Sequence, residues 1–163
     1  MSERYYIRLE KTEFVFSAGH FITFNGDICE RLHGHNYRVA CEIAGPLDDN
    51  HYVIDFIAVR DTLKAITARL DHHMLLPTDH PLIAVKASES SVQVTFAERR
   101  WEFPREDCIL LPIPNTTTEL LARYIGRQLL NDLQARLGAR PELVRIEVDE
   151  NNGQIAVCEL EGE

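Results

Sequence analysis

Three histidines in the first quarter of the chain have the spacing of a metal chelate. His33 and His35 sit in Cys29-Glu30-Arg31-Leu32-His33-Gly34-His35, and His20 precedes them. Two residues apart on a helix, His33 and His35 would point to nearly opposite sides. On a strand, residues i and i+2 project from one face. The stretch that follows, Asn36-Tyr37-Arg38-Val39-Ala40-Cys41-Glu42-Ile43, alternates as a strand does. His33, His35, Tyr37, Val39, Cys41 and Ile43 therefore share one face. The run Phe14-Val15-Phe16-Ser17-Ala18-Gly19-His20 places Phe14, Phe16, Ala18 and His20 on one face in the same way.

Two such strands, joined by residues 21–32, form an antiparallel hairpin. His20 at the end of the first then meets His33 and His35 at the start of the second. Three neutral imidazoles with an open fourth position describe a catalytic zinc site. Zinc is the expected ion because the ligands are all nitrogens and no redox motif accompanies them. The competing reading, histidines as ordinary polar groups on strands, fits one His-x-His better than three on matching faces.

The elements that must position these residues follow from patterning. Asn25-Gly26-Asp27 marks a turn inside the Phe21–Leu32 loop. After Gly45-Pro46, Asp55 is a helix N-cap. Phe56, Val59, Leu63, Ile66 and Leu70 then recur at steps of three and four, an amphipathic helix of about four turns. It ends at Asp71-His72-His73. His72 beside Asp71 is either a carboxylate-oriented acid or base, or a cation favoured by the helix dipole. Residues 78–114 read as an inserted β-hairpin, with Val92, Val94 and Phe96 alternating before Trp101 and Phe103; Ile109-Leu110-Leu111 is a further short strand. No chemical motif is evident there, and packing or subunit contact is its expected use. Thr116 and Glu119 have capping-box spacing ahead of a stripe of Leu121, Ile125, Leu129 and Leu133, closed by Gly138. Val144, Ile146 and Val148 alternate up to the Asn151-Asn152-Gly153 turn, and a strand through Ile155, Val157 and Leu160 follows.

This order predicts one α+β domain over 1–163, an antiparallel sheet with helices on one face. The chain has 163 residues, 45% of them hydrophobic, enough for one sizeable core. A net charge of −9 argues against a nucleic-acid partner. No apolar run approaches membrane-spanning length, and Met1-Ser2-Glu3-Arg4-Tyr5-Tyr6 lacks a signal peptide's apolar centre, so a cytoplasmic location is expected. Cys29, Cys41, Cys108 and Cys158 are scattered, without a Cys-x-x-Cys pair, which argues against disulfides in that compartment.

The motifs taken together resemble a known family, the pterin synthases that act on dihydroneopterin triphosphate. The resemblance rests on Phe16-Ser-Ala-Gly-His20, Cys29 ahead of His33-Gly-His35-Asn-Tyr37, Val53-Ile-Asp-Phe56, Leu70-Asp-His-His73, Thr117-Thr-Glu119 and the strand ending at Glu150. It spans about 13–76 and 115–160. It implies the tunnelling fold: a four-stranded antiparallel sheet in the order ββ-α-α-ββ, with two helices on one face. It further implies a homohexamer of two trimers with active sites between subunits.

The same resemblance implies roles. His20, His33 and His35 would bind Zn2+, which polarises the substrate's side-chain hydroxyls and acidifies the adjacent C–H bond. Cys29 would be the general base as a thiolate; a fourth zinc ligand is its alternative. Asp71 and His72 would form a proton relay. Glu150 would anchor the pterin and join the relay, since a carboxylate accepts two parallel N–H donors. Glu147 competes for that place; Glu150 is preferred because it continues the face of Ile146 and Val148. Thr117 and Thr118 match pterin-pocket positions. Arg31, Arg38, Lys64 and His73 are triphosphate-binding candidates by proximity alone. The short Cys-x-x-x-His-Gly-His spacing resembles the 6-carboxytetrahydropterin synthases, which feed queuosine and other deazapurine pathways. The alternatives are the 6-pyruvoyl reaction, or a non-catalytic zinc-containing relative that binds a pterin or purine.

Overall fold

The computed structural model describes residues 3–162. Met1, Ser2 and Glu163, at the ends of the domain read from the sequence, lie outside the described residues. In chain order the elements are β1 (Tyr5–His20), β2 (Thr23–Phe24), β3 (Ile28–Cys29), β4 (His33–Gly45), α1 (Phe56–Leu70), β5 (His73–Pro77), β6 (Ala84–Ala87) and β7 (Ser91–Phe96). They continue with β8 (Arg99–Pro104), β9 (Cys108–Leu111), α2 (Thr118–Leu137), β10 (Leu143–Asp149) and β11 (Ile155–Glu161).

Antiparallel pairing joins β11, β10, β4 and β1 in that order. The β1–β4 ladder brings His20 opposite His33 and Ala18 opposite His35. A register shift between Glu10 and Val15 interrupts it. The shift has a purpose visible in the side chains. Before it, odd-numbered Ile7 and Leu9 face inward; after it, even-numbered Phe14, Phe16, Ala18 and His20 do. A bulge with an odd number of extra residues reverses which side chains face the core, and here it turns His20 to the inner face.

α1 and α2 pack on each other and cover that face. Val59, Leu63, Ile66 and Leu70 from α1, and Leu121, Ile125, Leu129 and Leu133 from α2, meet Phe16, Tyr37, Cys41, Ile43, Val144 and Ile146 in one buried cluster. Burying such a large side chain stabilises by about 1.5–3 kcal/mol. Asp55 caps α1, its carboxylate accepting from Ile57 N–H at 2.8 Å. The opposite face of the sheet carries charge: Arg8 pairs with Glu147, and Arg145 bridges Glu42 and Glu159.

The sheet corrects the sequence reading in three places. It has six strands, not four, because β5 runs parallel to β1 and β9 parallel to β5. β5 holds Met74-Leu75-Leu76-Pro77, buried throughout, and a strand covered on both faces shows no alternation to read. The insert is a three-stranded antiparallel sheet, β6-β7-β8, not a hairpin. It has its own apolar cluster, in which Val92, Val94 and Phe96 pack with Phe21, Met74 and Leu76. Finally, the N-cap of α2 is Thr117, whose hydroxyl accepts from Leu120 N–H at 3.4 Å, and not Thr116. Thr116 is fully buried and otherwise engaged. Its carbonyl accepts from the His20 ring, and its hydroxyl donates to Phe21 O. None of the described helices is long and apolar enough to cross a membrane.

Candidate functional site

His20, His33 and His35 converge where β1 ends and β4 begins. One ring nitrogen from each lies within 4.8 Å of the others. Backbone carbonyls orient two of the rings: His20 Nδ1 donates to Thr116 O at 2.9 Å and His33 Nδ1 to Arg31 O at 2.8 Å. Fixing the proton on Nδ1 leaves the Nε2 lone pair free, which is how metal-bound histidines are held. His33 Nε2 and His35 Nε2 stand 3.0 Å apart. Burial pushes the His20 imidazole toward its neutral form, the form a metal needs, even though the Thr116 carbonyl favours the cation. The donor set fits a divalent ion of zinc's preference, with three nitrogens and room for a fourth ligand.

Tyr37 completes the back of the site. Its ring stacks on Phe16 at 4.6 Å, and its hydroxyl lies 3.3 Å from both nitrogens of His20. Gly34, between His33 and His35, is tight against the neighbouring strand. A Cβ there would stand 3.0 Å from the Ala18 carbonyl oxygen.

Glu150 faces the triad from the end of β10, with Oε1 3.6 Å from both His20 Nε2 and His35 Nε2. It also lines a cleft of about 440 Å³ with Thr117, Thr118, Ile22 and Gln154. The three residues expected to hold the substrate thus meet in one place beside the imidazoles. Glu147 is elsewhere, on the outer face, gripped by Arg8 through two bonds of 2.7 and 2.6 Å.

Cys29 is half-buried at the end of β3 and is not among the clustered ligand atoms; its thiol hydrogen points to Glu30 O at 3.5 Å. Burial raises its pKa; Arg99 opposes that shift and Glu30 adds to it. Sequence reasoning passed over Glu30. Its Oε1 accepts from Ile22 N–H at 3.0 Å and lies 4.0 Å from His33 Nε2. The available signal was its place, three residues before His33 in a stretch whose other end is the thiol.

Asp71 and His72 are brought together as a hydrogen-bonded pair. His72 Nδ1 donates to Asp71 Oδ2 at 2.8 Å. Ser17 holds both: its N–H donates to Asp71 Oδ1 and its carbonyl accepts from His72 N–H, each at 2.7 Å. The Ser17 bond and then His72 keep the Asp71 carboxyl below its ordinary range. His72 takes a left-handed backbone (φ 59°) and is 81% exposed. It lines an open cleft of about 710 Å³ with Ser17, Gly34 and Asn36, and His33 and His35 of the triad border the same cleft. No described hydrogen bond or ion pair joins the dyad to the imidazoles. Of Arg31, Arg38, Lys64 and His73, only His73 borders this cleft.

A two-layer α+β domain with three clustered histidines that could hold a metal ion at the mouth of its central hairpin, and a carboxylate over them, has the parts of a small-molecule enzyme site. The profile described as 6-pyruvoyl tetrahydropterin synthase matches residues 9–161. The chain belongs to that family of tetrahydropterin synthases, and its fold is the tunnelling fold. A Methanocaldococcus jannaschii protein provisionally named 6-carboxy-5,6,7,8-tetrahydropterin synthase is 31% identical over 140 residues, 85% of each chain. The Haemophilus influenzae 6-carboxy-5,6,7,8-tetrahydropterin synthase is 28% identical over 131 residues, covering 78% of this chain and 85% of that one. Among solved structures, Plasmodium falciparum 6-pyruvoyl tetrahydropterin synthase superposes with a TM-score of 0.89 at 31% identity, covering 98% of this chain and 99% of that one. Such coverage takes in the inserted sheet.

Proposed function

We propose that the protein is a zinc-dependent lyase that converts 7,8-dihydroneopterin triphosphate to 6-carboxytetrahydropterin, with loss of triphosphate and a two-carbon aldehyde. The observation that carries this is the meeting of the three imidazoles, Glu150 and the Thr117–Thr118 cleft within one chain. The relatives named as carboxy enzymes and the Cys29-x-x-x-His33 spacing support the choice of product. Zinc held by His20, His33 and His35 would polarise the substrate's side-chain hydroxyls and make the neighbouring C–H more acidic. Glu150 would accept two parallel N–H bonds from the pterin edge, with Thr117 and Thr118 beside it. Cys29 would take up the proton released at the side chain.

No described hydrogen bond or ion pair joins Asp71 and His72 to the triad, and in this reading they serve a neighbouring copy, in a hexamer of two trimers. The open edge strand β11 supports assembly: it presents Ile155 and Val157 at 53% and 51% exposure, and such an edge is a template for pairing with another chain. The test is direct. Zinc-loaded protein given 7,8-dihydroneopterin triphosphate should release triphosphate and yield the carboxy product by mass; unchanged substrate with fully metallated protein overturns the assignment.

A second reading has its own support. The raised thiol pKa disfavours a thiolate, and Glu30 offers a carboxylate 4.0 Å from His33. A Plasmodium vivax 6-pyruvoyltetrahydropterin synthase, TM-score 0.88 at 27% identity, was solved with a glutamate described as a catalytic residue replaced by alanine. In this reading Glu30 is the base and the product is the 6-pyruvoyl compound. Cys29→Ala that keeps its zinc and its turnover would favour it, as would a pyruvoyl product mass.

A further inference from the structure

A side chain of the inserted sheet hydrogen-bonds the backbone of the active-site loop. Arg99, the first residue of β8, donates from Nη1 to Cys29 O at 2.8 Å and to Glu30 O at 3.1 Å. Its guanidinium lies 4.6 Å over the Trp101 ring, and Trp101 stacks on buried Phe21 at 4.4 Å. Phe21 directly follows the metal ligand His20. A planar guanidinium held against an aromatic face has few orientations left, so its hydrogen bonds position what they touch. What they touch is the carbonyl pair immediately before Arg31, whose own carbonyl orients His33. The other side of the loop is closed by Glu30 N–H donating to Ile22 O at 3.0 Å and by the Glu30 carboxylate accepting from Ile22 N–H. With those bonds in place, Arg99 supplies the hydrogen bonds that tie the Cys29–Glu30 backbone to the insert, beside the packing of Cys29 on its apolar cluster.

We propose that Arg99 is a positioning residue of the active site: the insert uses it to clamp the Cys29–Glu30 backbone and to set a cation beside the Cys29 thiol. This rests on the reading of Cys29 as a working group, and it assigns a role to a region whose expected use was packing or subunit contact. The clamp acts on either candidate base, since both carbonyls are held. Other side chains keep only part of what arginine supplies. Lysine keeps the charge and can reach one carbonyl, but it lacks the planar face that Trp101 supports. Methionine keeps an apolar stem over Trp101 and removes both the charge and the bonds.

The experiment compares Arg99→Met and Arg99→Lys with the wild type as full-length, zinc-loaded protein. It measures kcat and KM for 7,8-dihydroneopterin triphosphate. Independently of any substrate, it measures the rate at which iodoacetamide alkylates Cys29, followed on that peptide by mass. Arg99→Met should lower kcat about tenfold or more with KM within about twofold. It should also slow Cys29 alkylation about threefold or more, as loss of a nearby cation raises the thiol pKa. Bound zinc should stay at the wild-type level, and Arg99→Lys should recover most of the alkylation rate. Wild-type alkylation rates in both variants would overturn the proposal. So would equal slowing in both together with an equal fall in thermal midpoint, the mark of mere structural support. If the wild type fails to turn over the substrate, the functional reading falls, and the alkylation series still decides the role of Arg99.

Discussion

Two apolar clusters hold this molecule, and they contribute different parts of the site. The larger one lies between the helices and strands β1, β4 and β10, and it fixes the backbones that carry His20, His35 and Glu150. The smaller one lies under the inserted sheet and takes in Phe21, with Cys29 and Trp101 packed against it. The first is built from ladders and helix stripes, so the clustered histidines sit on regular structure. The second supports a loop and a two-residue hairpin, β2–β3, whose position depends on side-chain contacts such as Arg99. Ligand geometry is thus assigned to the rigid element, and the candidate bases Cys29 and Glu30 to the adjustable one.

The largest expected effect comes from breaking the rigid half at its chemical end. His35→Ala removes a ligand and opens no gap in the main core, since the side chain is partly exposed. Bound zinc and turnover should both fall below detection by metal analysis and triphosphate release, with the circular dichroism spectrum unchanged. Retention of one zinc per chain would show that the triad is not the centre. Next in size are cavities, which set the two clusters against each other. Leu63→Ala, in the main core, should cost about 2–5 kcal/mol by denaturant unfolding. Val94→Ala, in the smaller cluster, removes less volume and should cost less. Its effect should appear in hydrogen exchange of residues 84–104 before any change in the main sheet. Exchange rising equally across both regions would mean that they open as one unit.

The same division explains what could be read from the sequence. The hairpin faces, both helices and the convergence of His20 with His33 and His35 follow from alternation and helical period, because each of those elements has one covered face. The bulge at Glu10–Val15 was not legible from spacing alone, yet the second half of β1 was, since Phe14, Phe16 and Ala18 carry the new parity. β5 escaped because a strand buried on both faces has no period; β9 was read as the short strand Ile109–Leu111, but its parallel pairing with β5 in the main sheet was not. The cap of α2 was misplaced by one residue because a fully buried Thr116 serves His20, a contact 96 residues apart in the chain that no local pattern encodes. Glu30 and Arg99 escaped for a related reason: their roles are set by a loop conformation and by a partner some 70 residues away.

A smaller effect tests how the open edge is bound to the main core. Gly126, in the middle of α2, faces Leu160 of β11 and Ile146 of β10. A Cβ there would stand 2.6 Å from Leu160 Cδ1 and 3.2 Å from Ile146 Cγ1. Leu160 can turn aside only by losing its packing, so Gly126→Ala should cost about 1–3 kcal/mol through overpacking, despite alanine's better helix propensity. The cost should fall on β11, measured as faster exchange of residues 155–161. A neutral or stabilising result would show that Leu160 has spare room and that the edge strand is loosely held.

The smallest effect concerns two glutamates of one neighbourhood with opposite settings. Glu150 faces the imidazoles, whereas Glu147 faces outward and is gripped by Arg8. The Arg8 bonds hold the Glu147 carboxyl below its ordinary value, against the opposing effect of partial burial. A depressed carboxylate contributes stability at pH values above its unfolded pKa and loses it as pH falls through the folded one. Arg8 is more than a third exposed, so screening limits the pair to about 1 kcal/mol or less. Arg8→Gln should therefore destabilise by that amount at pH 7. The gap to the wild type should narrow as the pH falls below the ordinary carboxylate range toward the depressed folded value of Glu147. Denaturant unfolding at pH 7 and pH 3 checks this, and Glu147→Gln should remove most of the pH dependence of the gap, leaving the part carried by Glu10, which also accepts from Arg8 at 3.1 Å. A gap that persists unchanged at pH 3 would mean that Arg8 acts by packing its stem on the outer face of the sheet, and that charge on this face contributes little.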